Sequence, residues 1–461
     1  MEQFIKENMC AMIDDLTDLV AKQSVYDGED KTHPPFGAGV EDALQTVLKL
    51  GKSFGMTVKN YDGYAGEITA GNGAHMIGVL CHVDVVPAGE GWETKPFVLT
   101  EQNGRLYGRG SSDDKGPLVS CLYAMKYLLD AGKIPADACI RMIIGANEEE
   151  SWQCIRHYLE QAETLPALSF VPDGSFPLIS CEKGLLDFDL CSADIPDHHA
   201  PVRLVSLEGG TSRNIVPSSA SCCLECKDAQ TVAAQLSDLP GIAVQAEGHQ
   251  VTVTAKGKSA HCMSPEKGVT AIAHLLHALA QLGKDFSHSA FAASFDRLIG
   301  EDYTGERFGI AMQDDVSGAL TFNIGTIRLT ADGVFSMQAN IRYPASACYE
   351  TVQESVRSCA DRAGLQYTEV DHLPPVYFEK GSPLVRALLE TYQEVTGDTT
   401  HEPFSIGGAT YARALPNAVA FGPQFPYEEE LAHEPNEFLA IDSLEKMTAI
   451  YGRALEKLLA L

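Results

Sequence analysis

In the first 24 residues, "MEQFIKENMCAMIDDLTDLVAKQS", apolar side chains fall at Ile5, Met9, Met12, Ile13, Leu16 and Val20. Steps of three and four place them on one face of a 3.6-residue repeat, which predicts an amphipathic helix. The texture changes after residue 75. "HMIGVLCH", "CIRMIIGAN" and "ALSFVPD" are short, nearly unbroken apolar runs, as expected of strands buried on both faces. Between them lie "GPLVSCLYAMKYLLDAGK" and "SWQCIRHYLEQA", which have helical spacing. In the first of these, Pro117 suits the opening turn and Gly132 the end. Strands alternating with helices predict a mixed, mostly parallel sheet with helices on both faces.

From about residue 185 to 380 the period shortens to two in "HQVTVTAKG", "ALTFNIGTIRL" and "FSMQANIRYP", the mark of half-exposed strands. Helical segments, "EKGVTAIAHLLHALAQLG" and "YETVQESVRSCADRAG", are interleaved with them. Beyond residue 381, "SPLVRALLETYQEVTG", "NAVAFGP" and "LEKMTAIYGRALEKLLAL" return to the α/β pattern. The expected architecture is an α/β domain in two parts, 1–184 and 381–461, interrupted by an inserted α+β domain, 185–380.

Composition narrows the function. The 461 residues carry a formal net charge of −29, which repels phosphate backbones and argues against nucleic-acid binding. No stretch reaches the ~18 uncharged apolar residues of a membrane span, and the first residues lack the basic and apolar regions of a signal peptide. Thirteen scattered cysteines suggest free thiols in a reducing compartment, so a cytoplasmic location is expected. The CxxC in "SCCLEC" has no second pair to complete a zinc site.

In open α/β sheets ligands gather beyond the carboxyl ends of the strands. His82 and Asp84 follow the first buried run and share a face. Glu148, Glu149 and Glu150 follow "RMIIGAN", Asp173 follows "LSFVP", and Asp113 and Asp114 lie in the glycine-rich "GRGSSDDKGP". Far downstream, "LAHEPNE" adds His433 before the last helix. Singly, such residues are caps, solvated helix starts or loop residues. Together at one sheet edge, so many carboxylates repel one another unless cations neutralise them.

In this order and spacing, "HVD", "GRGSSDDKG", "NEEE", "VPDG" and "AHEPNE" resemble the di-metal peptidases related to aminoacylase. Within that family the chain is most similar to the peptidase V-like, carnosinase-like dipeptidases, and "GGATYARALPNAVAFGP" fits the same branch. The resemblance implies a catalytic α/β domain with an inserted lid. It makes Asp113 the carboxylate shared by two divalent metals, with His82 and Asp173 completing one site and Glu149 and His433 the other. Glu148 would be the general base of a hydrolysis by metal-bridging water, and Asp84 would set the tautomer of His82 from behind. Zinc is the metal first expected for this mixed ligand set, with manganese or cobalt as alternatives.

From the lid, the resemblance assigns His261 in "GKSAHCMSP" to the tetrahedral intermediate, and Asn214 and Arg342 to holding substrate. Gly407 and Gly408 would receive a C-terminal carboxylate. Asn147 stands where many relatives have Asp, and the extra Glu150 allows a second register with Glu149 as base and Glu150 as ligand. Trp152 and Cys154 align better in the first register. The expected activity is hydrolysis of small unblocked dipeptides. N-acyl-amino-acid or β-alanyl-peptide hydrolysis is the alternative, and an acid among Glu428–Glu430 near the substrate amine would favour free dipeptides. A non-catalytic binding protein is disfavoured because base and ligands are all present. The long lid takes the place of a partner subunit in such enzymes, so a monomer is expected, with a small peptide as its partner and neither nucleic acid nor membrane.

Overall fold

The computed structural model describes the whole chain except residues 193–195. Two units are distinguished. One comprises Met1–Ser180, Phe378–Phe404 and Thr410–Leu461, and the other Cys181–Tyr377 with Ser405–Ala409. Ser405–Ala409 lies with the second unit, whereas the hydrophobic pattern assigns it to the α/β domain. A backbone bond explains the difference: the Lys183 amide donates to the Ile406 carbonyl at 3.1 Å, a non-local contact that periodicity does not report.

Six strands of a nine-stranded central sheet run in the order Thr57–Tyr61, Ala65–Gly71, Ala138–Gly145, His75–His82, Leu168–Val171, Ala418–Ala420. The first two junctions are antiparallel and the next three parallel. Every residue from Met76 to His82 is buried, which is why that segment reads as a continuous apolar run rather than an alternating one. Ile77, Val79 and Leu80 are fully buried, each contributing roughly 1.5–3 kcal/mol. Helices Glu2–Val20, Lys115–Asp130 and Ile441–Leu458 pack against one another. Pro117 lies in the first turn of its helix, where a missing N–H leaves no intrahelical bond unmade. Parallel strands ending together bring the segments after His82, Gly145 and Val171 to one edge, with His82 in register with Gly145.

The second unit is built on an eight-stranded antiparallel sheet. Its order is Ile242–Glu247, Gln250–Lys256, Ser219–Cys226, Val202–Gly209, Thr321–Leu329, Phe335–Tyr343, Gly184–Ser192, Leu365–Leu373. Two four-stranded halves meet through only Glu208↔Arg328 and Gly209↔Ile327. Val251, Val253 and Ala255 are buried while Gln250 and Thr252 are exposed, the alternation of a sheet with one covered face. Leu224, Leu275, Leu276, Leu279, Phe295 and Met337 belong to the core on that side. The helix expected around "EKGVTAIAHLLHALAQLG" covers only Ala271–Ala280. Val269 instead exchanges backbone bonds with Lys258, at 2.8 and 2.9 Å. Among the described residues no disulfide joins any of the thirteen cysteines, and no helix is long and apolar enough to cross a membrane.

Candidate metal centre

His82 closes its strand fully buried. Its Nδ1 lies 3.0 Å from the backbone carbonyl of Asp84 and 3.6 Å from that residue's carboxylate. A carbonyl only accepts, so Nδ1 carries the proton and Nε2 is left as a lone-pair donor. The Asp84 carboxylate has different partners: Oδ1 accepts from the Glu148 amide and Oδ2 from the Glu149 amide, both at 3.0 Å. Asp84 therefore orients the imidazole through its main chain and the acidic turn through its side chain. Asp84 thus lies behind His82, its carbonyl nearer the ring than its carboxylate.

On the open side, His82 Nε2 is 3.0 Å from Asp113 Oδ1 and 3.9 Å from Asp173 Oδ2. The other oxygen of Asp113 lies 3.1 Å from His433 Nε2, which is also 3.0 Å from Glu149 Oε2. One carboxylate thus faces two imidazoles, one with each oxygen. Two groups of ligand atoms, each within 4.8 Å of one another, emerge: His82, Asp113 and Glu149, and His82, Glu148 and Asp173. Glu148 and Glu149 both turn toward this cluster; among the described residues no such grouping includes Glu150.

The electrostatics reflect the crowding. Burial lifts the Asp173 carboxyl to about 7, with the Asp113 charge adding to it. Burial likewise raises Glu148 and Glu149. Asp113, although burial opposes it, is held below the usual carboxylate range by His433 and His82. The same contacts with Asp113 and Glu149 raise His433 to about 11. Four carboxylates with two imidazoles are a donor set suited to divalent cations, whose charge removes the mutual repulsion. The residues present fit a pair of such ions.

Within the second unit the remaining candidates gather at one corner. The Cys262 amide donates to the Asn214 carbonyl at 2.9 Å, joining the Asn214 and His261 segments. His261 Nδ1 accepts from the Met263 amide at 3.2 Å, which leaves Nε2 to carry the ring proton. Burial and the Arg342 charge hold its pKa below the ordinary histidine value. Arg342 is buried, donating from Nε to Asn340 Oδ1 at 3.0 Å and from Nη2 to Cys262 Sγ at 3.4 Å, while Nη1 is buried without a partner. Gly407 packs on Met263, where an added Cβ would stand 3.0 Å from the Met263 Cβ. Gly408 follows in the same segment, with the Met263 Sδ 3.6 Å from its Cβ position. Of the downstream acids, Glu428 accepts from the Phe425 amide at 3.1 Å and from the Ser443 hydroxyl. It serves the local turn; Glu429 and Glu430 are exposed.

Two residues with structural partners at the centre were not singled out from sequence. Arg109 and Glu437 are fully buried and paired at 2.7 Å. Their signal lay in plain view, since Arg109 belongs to "GRGSSDD" and Glu437 closes "HEPNE". What the sequence does not show is that the two segments touch.

Fold and site together define a metallohydrolase: an α/β domain with imidazoles and carboxylates at its strand ends, interrupted by an α+β unit. The sequence model of "Peptidase family M20/M25/M40" matches residues 78–457. The chain belongs to this family. It is 36% identical over 455 residues to a Bacillus subtilis protein described as "Putative dipeptidase YtjP", covering 97% of each chain. A Staphylococcus epidermidis relative described as "Putative dipeptidase" is also 36% identical, over 96% of each chain. Among solved structures, human carnosine dipeptidase 1 superposes with a TM-score of 0.58 at 16% identity, covering 100% of this chain and 98% of that one. The dipeptidase Dug1p of Saccharomyces cerevisiae gives 0.59 at 14% identity, with the same coverage. These likenesses establish the shared fold.

Proposed function

We propose that the protein is a metal-dependent dipeptidase acting on small unblocked dipeptides. The observation that carries this reading is Asp113, whose two oxygens face His82 and His433 at 3.0 and 3.1 Å. Its relatives described as dipeptidases support the substrate class. His82 and Asp173 would hold one divalent cation and Glu149 and His433 the other, with Asp113 shared. Zinc is the first choice, and manganese or cobalt also suit the ligand set. Such ions, when bound, polarise a carbonyl and acidify water.

The chain's own residues perform the rest. Glu148, its amide anchored by Asp84, takes the proton of the attacking water and delivers it to the leaving amine. His261 offers its Nε2–H to the developing oxyanion. Asn214 and Arg342 hold the substrate, the unpartnered Nη1 of the guanidinium being a donor suited to carboxylate or oxyanion. Gly407 and Gly408 present backbone to the C-terminal carboxylate. The cysteines, none in a disulfide among the described residues, support a reducing, cytoplasmic setting. The size of the inserted unit, Cys181–Tyr377, supports a monomer; a dimer mass in light scattering would contradict that.

The test of substrate class compares Ala-Ala with N-acetyl-Ala. Cleavage of the free dipeptide with little turnover of the acetylated compound is the expected result. Turnover of N-acetyl-Ala alone would instead make the protein an N-acyl-amino-acid amidohydrolase.

A further inference from the structure

Glu437 is a carboxylate with no exposure, placed among backbone donors of the loop that carries Asp113. Its Oε1 accepts from the Ser112 amide at 2.9 Å, the Ser112 hydroxyl at 3.1 Å and the Asp113 amide at 3.2 Å. Its Oε2 accepts from the Gly110 amide at 3.0 Å and from Arg109 Nη1 at 2.7 Å. Arg109 then reaches outward: Nη2 donates to the His433 carbonyl at 3.1 Å and approaches the Ala88 carbonyl at 3.4 Å. His433 has a φ of +68°, a left-handed conformation that a histidine adopts rarely and that surrounding contacts must hold. The Arg109 bond is made by the carbonyl of that same residue.

A buried ion pair by itself stabilises little, since desolvation offsets its attraction. This pair has a more specific arrangement. One end fixes the amide of Asp113 and the other fixes the backbone of His433, 320 residues later in the chain. The side chains of these two residues are those whose approach forms the centre.

We propose that Arg109 and Glu437 are positioning residues for the metal centre, acting through the backbone of its ligands and touching neither cation nor substrate. Glu437 holds the Asp113 loop, and Arg109 holds His433 in its left-handed conformation. The inference rests on the two-cation reading. It predicts an asymmetry between variants. Arg109→Lys keeps a cation beside Glu437 but cannot reach both the carboxylate and the His433 carbonyl. It should weaken one metal equivalent, that of His433 and Glu149, by ~10-fold to ~100-fold, the usual effect of losing an outer partner of a ligand. Glu437→Gln, with one acceptor oxygen in place of two, should weaken both equivalents because Asp113 is shared.

The experiment dialyses metal-loaded enzyme against graded chelator and counts retained zinc or manganese by elemental mass spectrometry. Thermal unfolding is followed alongside. One weakened equivalent in Arg109→Lys and two in Glu437→Gln, in proteins that still unfold cooperatively, is the expected result. Wild-type retention of both equivalents in folded Arg109→Lys would overturn the positioning role. Should Glu437→Gln fail to fold, the Arg109→Lys count decides alone. A wild-type protein that never holds two equivalents would overturn the two-cation reading underneath.

Discussion

Glu148 and Glu149 are adjacent in sequence, and Asp84 binds both their amides, yet the two side chains have different surroundings. Glu149 meets His433 at 3.0 Å, whereas Glu148 joins the group of His82 and Asp173. A base and a ligand respond differently to loss of charge. Glu148→Gln should lower kcat by ~10²–10⁴-fold, the range for losing a general base, with metal content unchanged. Elemental analysis beside the kinetics checks this, and loss of metal would make Glu148 a ligand instead. Asp113→Asn removes charge from the residue that both imidazoles face. Weakened retention of both metal equivalents is expected, read by the same analysis. At this scale the clustering of His82, Asp113, Glu148, Glu149 and Asp173 was legible in the sequence, because all follow strand ends or the glycine-rich loop at one sheet edge. Which atom of Asp84 meets His82 was not, since main chain and side chain leave the same trace in a sequence. Neither was the Arg109–Glu437 contact, which joins segments 328 residues apart.

Elements of the second unit depend on close approach and on capped turns. Gly184 pairs with Tyr343 across neighbouring strands, and an added Cβ would lie 1.9 Å from the Tyr343 Cζ. A ring in a sheet cannot swing aside easily, so Gly184→Ala should cost about 1–3 kcal/mol, seen as a lowered denaturant midpoint. Asp314 organises two turns: its carboxylate accepts from the Val316 amide at 3.0 Å, the Ser317 hydroxyl at 2.9 Å and the Ser346 amide at 3.0 Å. Burial raises its pKa somewhat, but the amides of Ser317 and Ser346 outweigh it and hold the carboxyl below the usual range. A depressed native pKa stabilises the fold above the unfolded value, near ~3.9, and that contribution fades as pH falls toward the native pKa. Asp314→Asn should therefore lower the melting temperature at pH 7, and the gap from wild type should narrow in acid. A gap independent of pH would assign the loss to packing alone. Period-two strands and 3.6-residue helices were readable here because one face of each is buried. The shortened Ala271–Ala280 helix was not, because Val269 gives its backbone to Lys258, a pairing that helical spacing conceals.

For the molecule as a whole, the change of period near residues 185 and 380 exposed an inserted unit, because buried parallel strands and half-exposed antiparallel ones differ in composition as well as rhythm. Ser405–Ala409 escaped that reading, five residues being too few to show a period. The net charge of −29 accords with a protein whose centre needs cations, although it serves solubility as much. Hydrolysis should need two divalent cations gathered around Asp113. The most direct test is to strip the enzyme with chelator and return zinc, manganese or cobalt stepwise while following cleavage of Ala-Ala. Stripped enzyme should not cleave, and recovery should level off at two equivalents per chain. Full cleavage with chelator still present, or recovery complete at one equivalent, would contradict this.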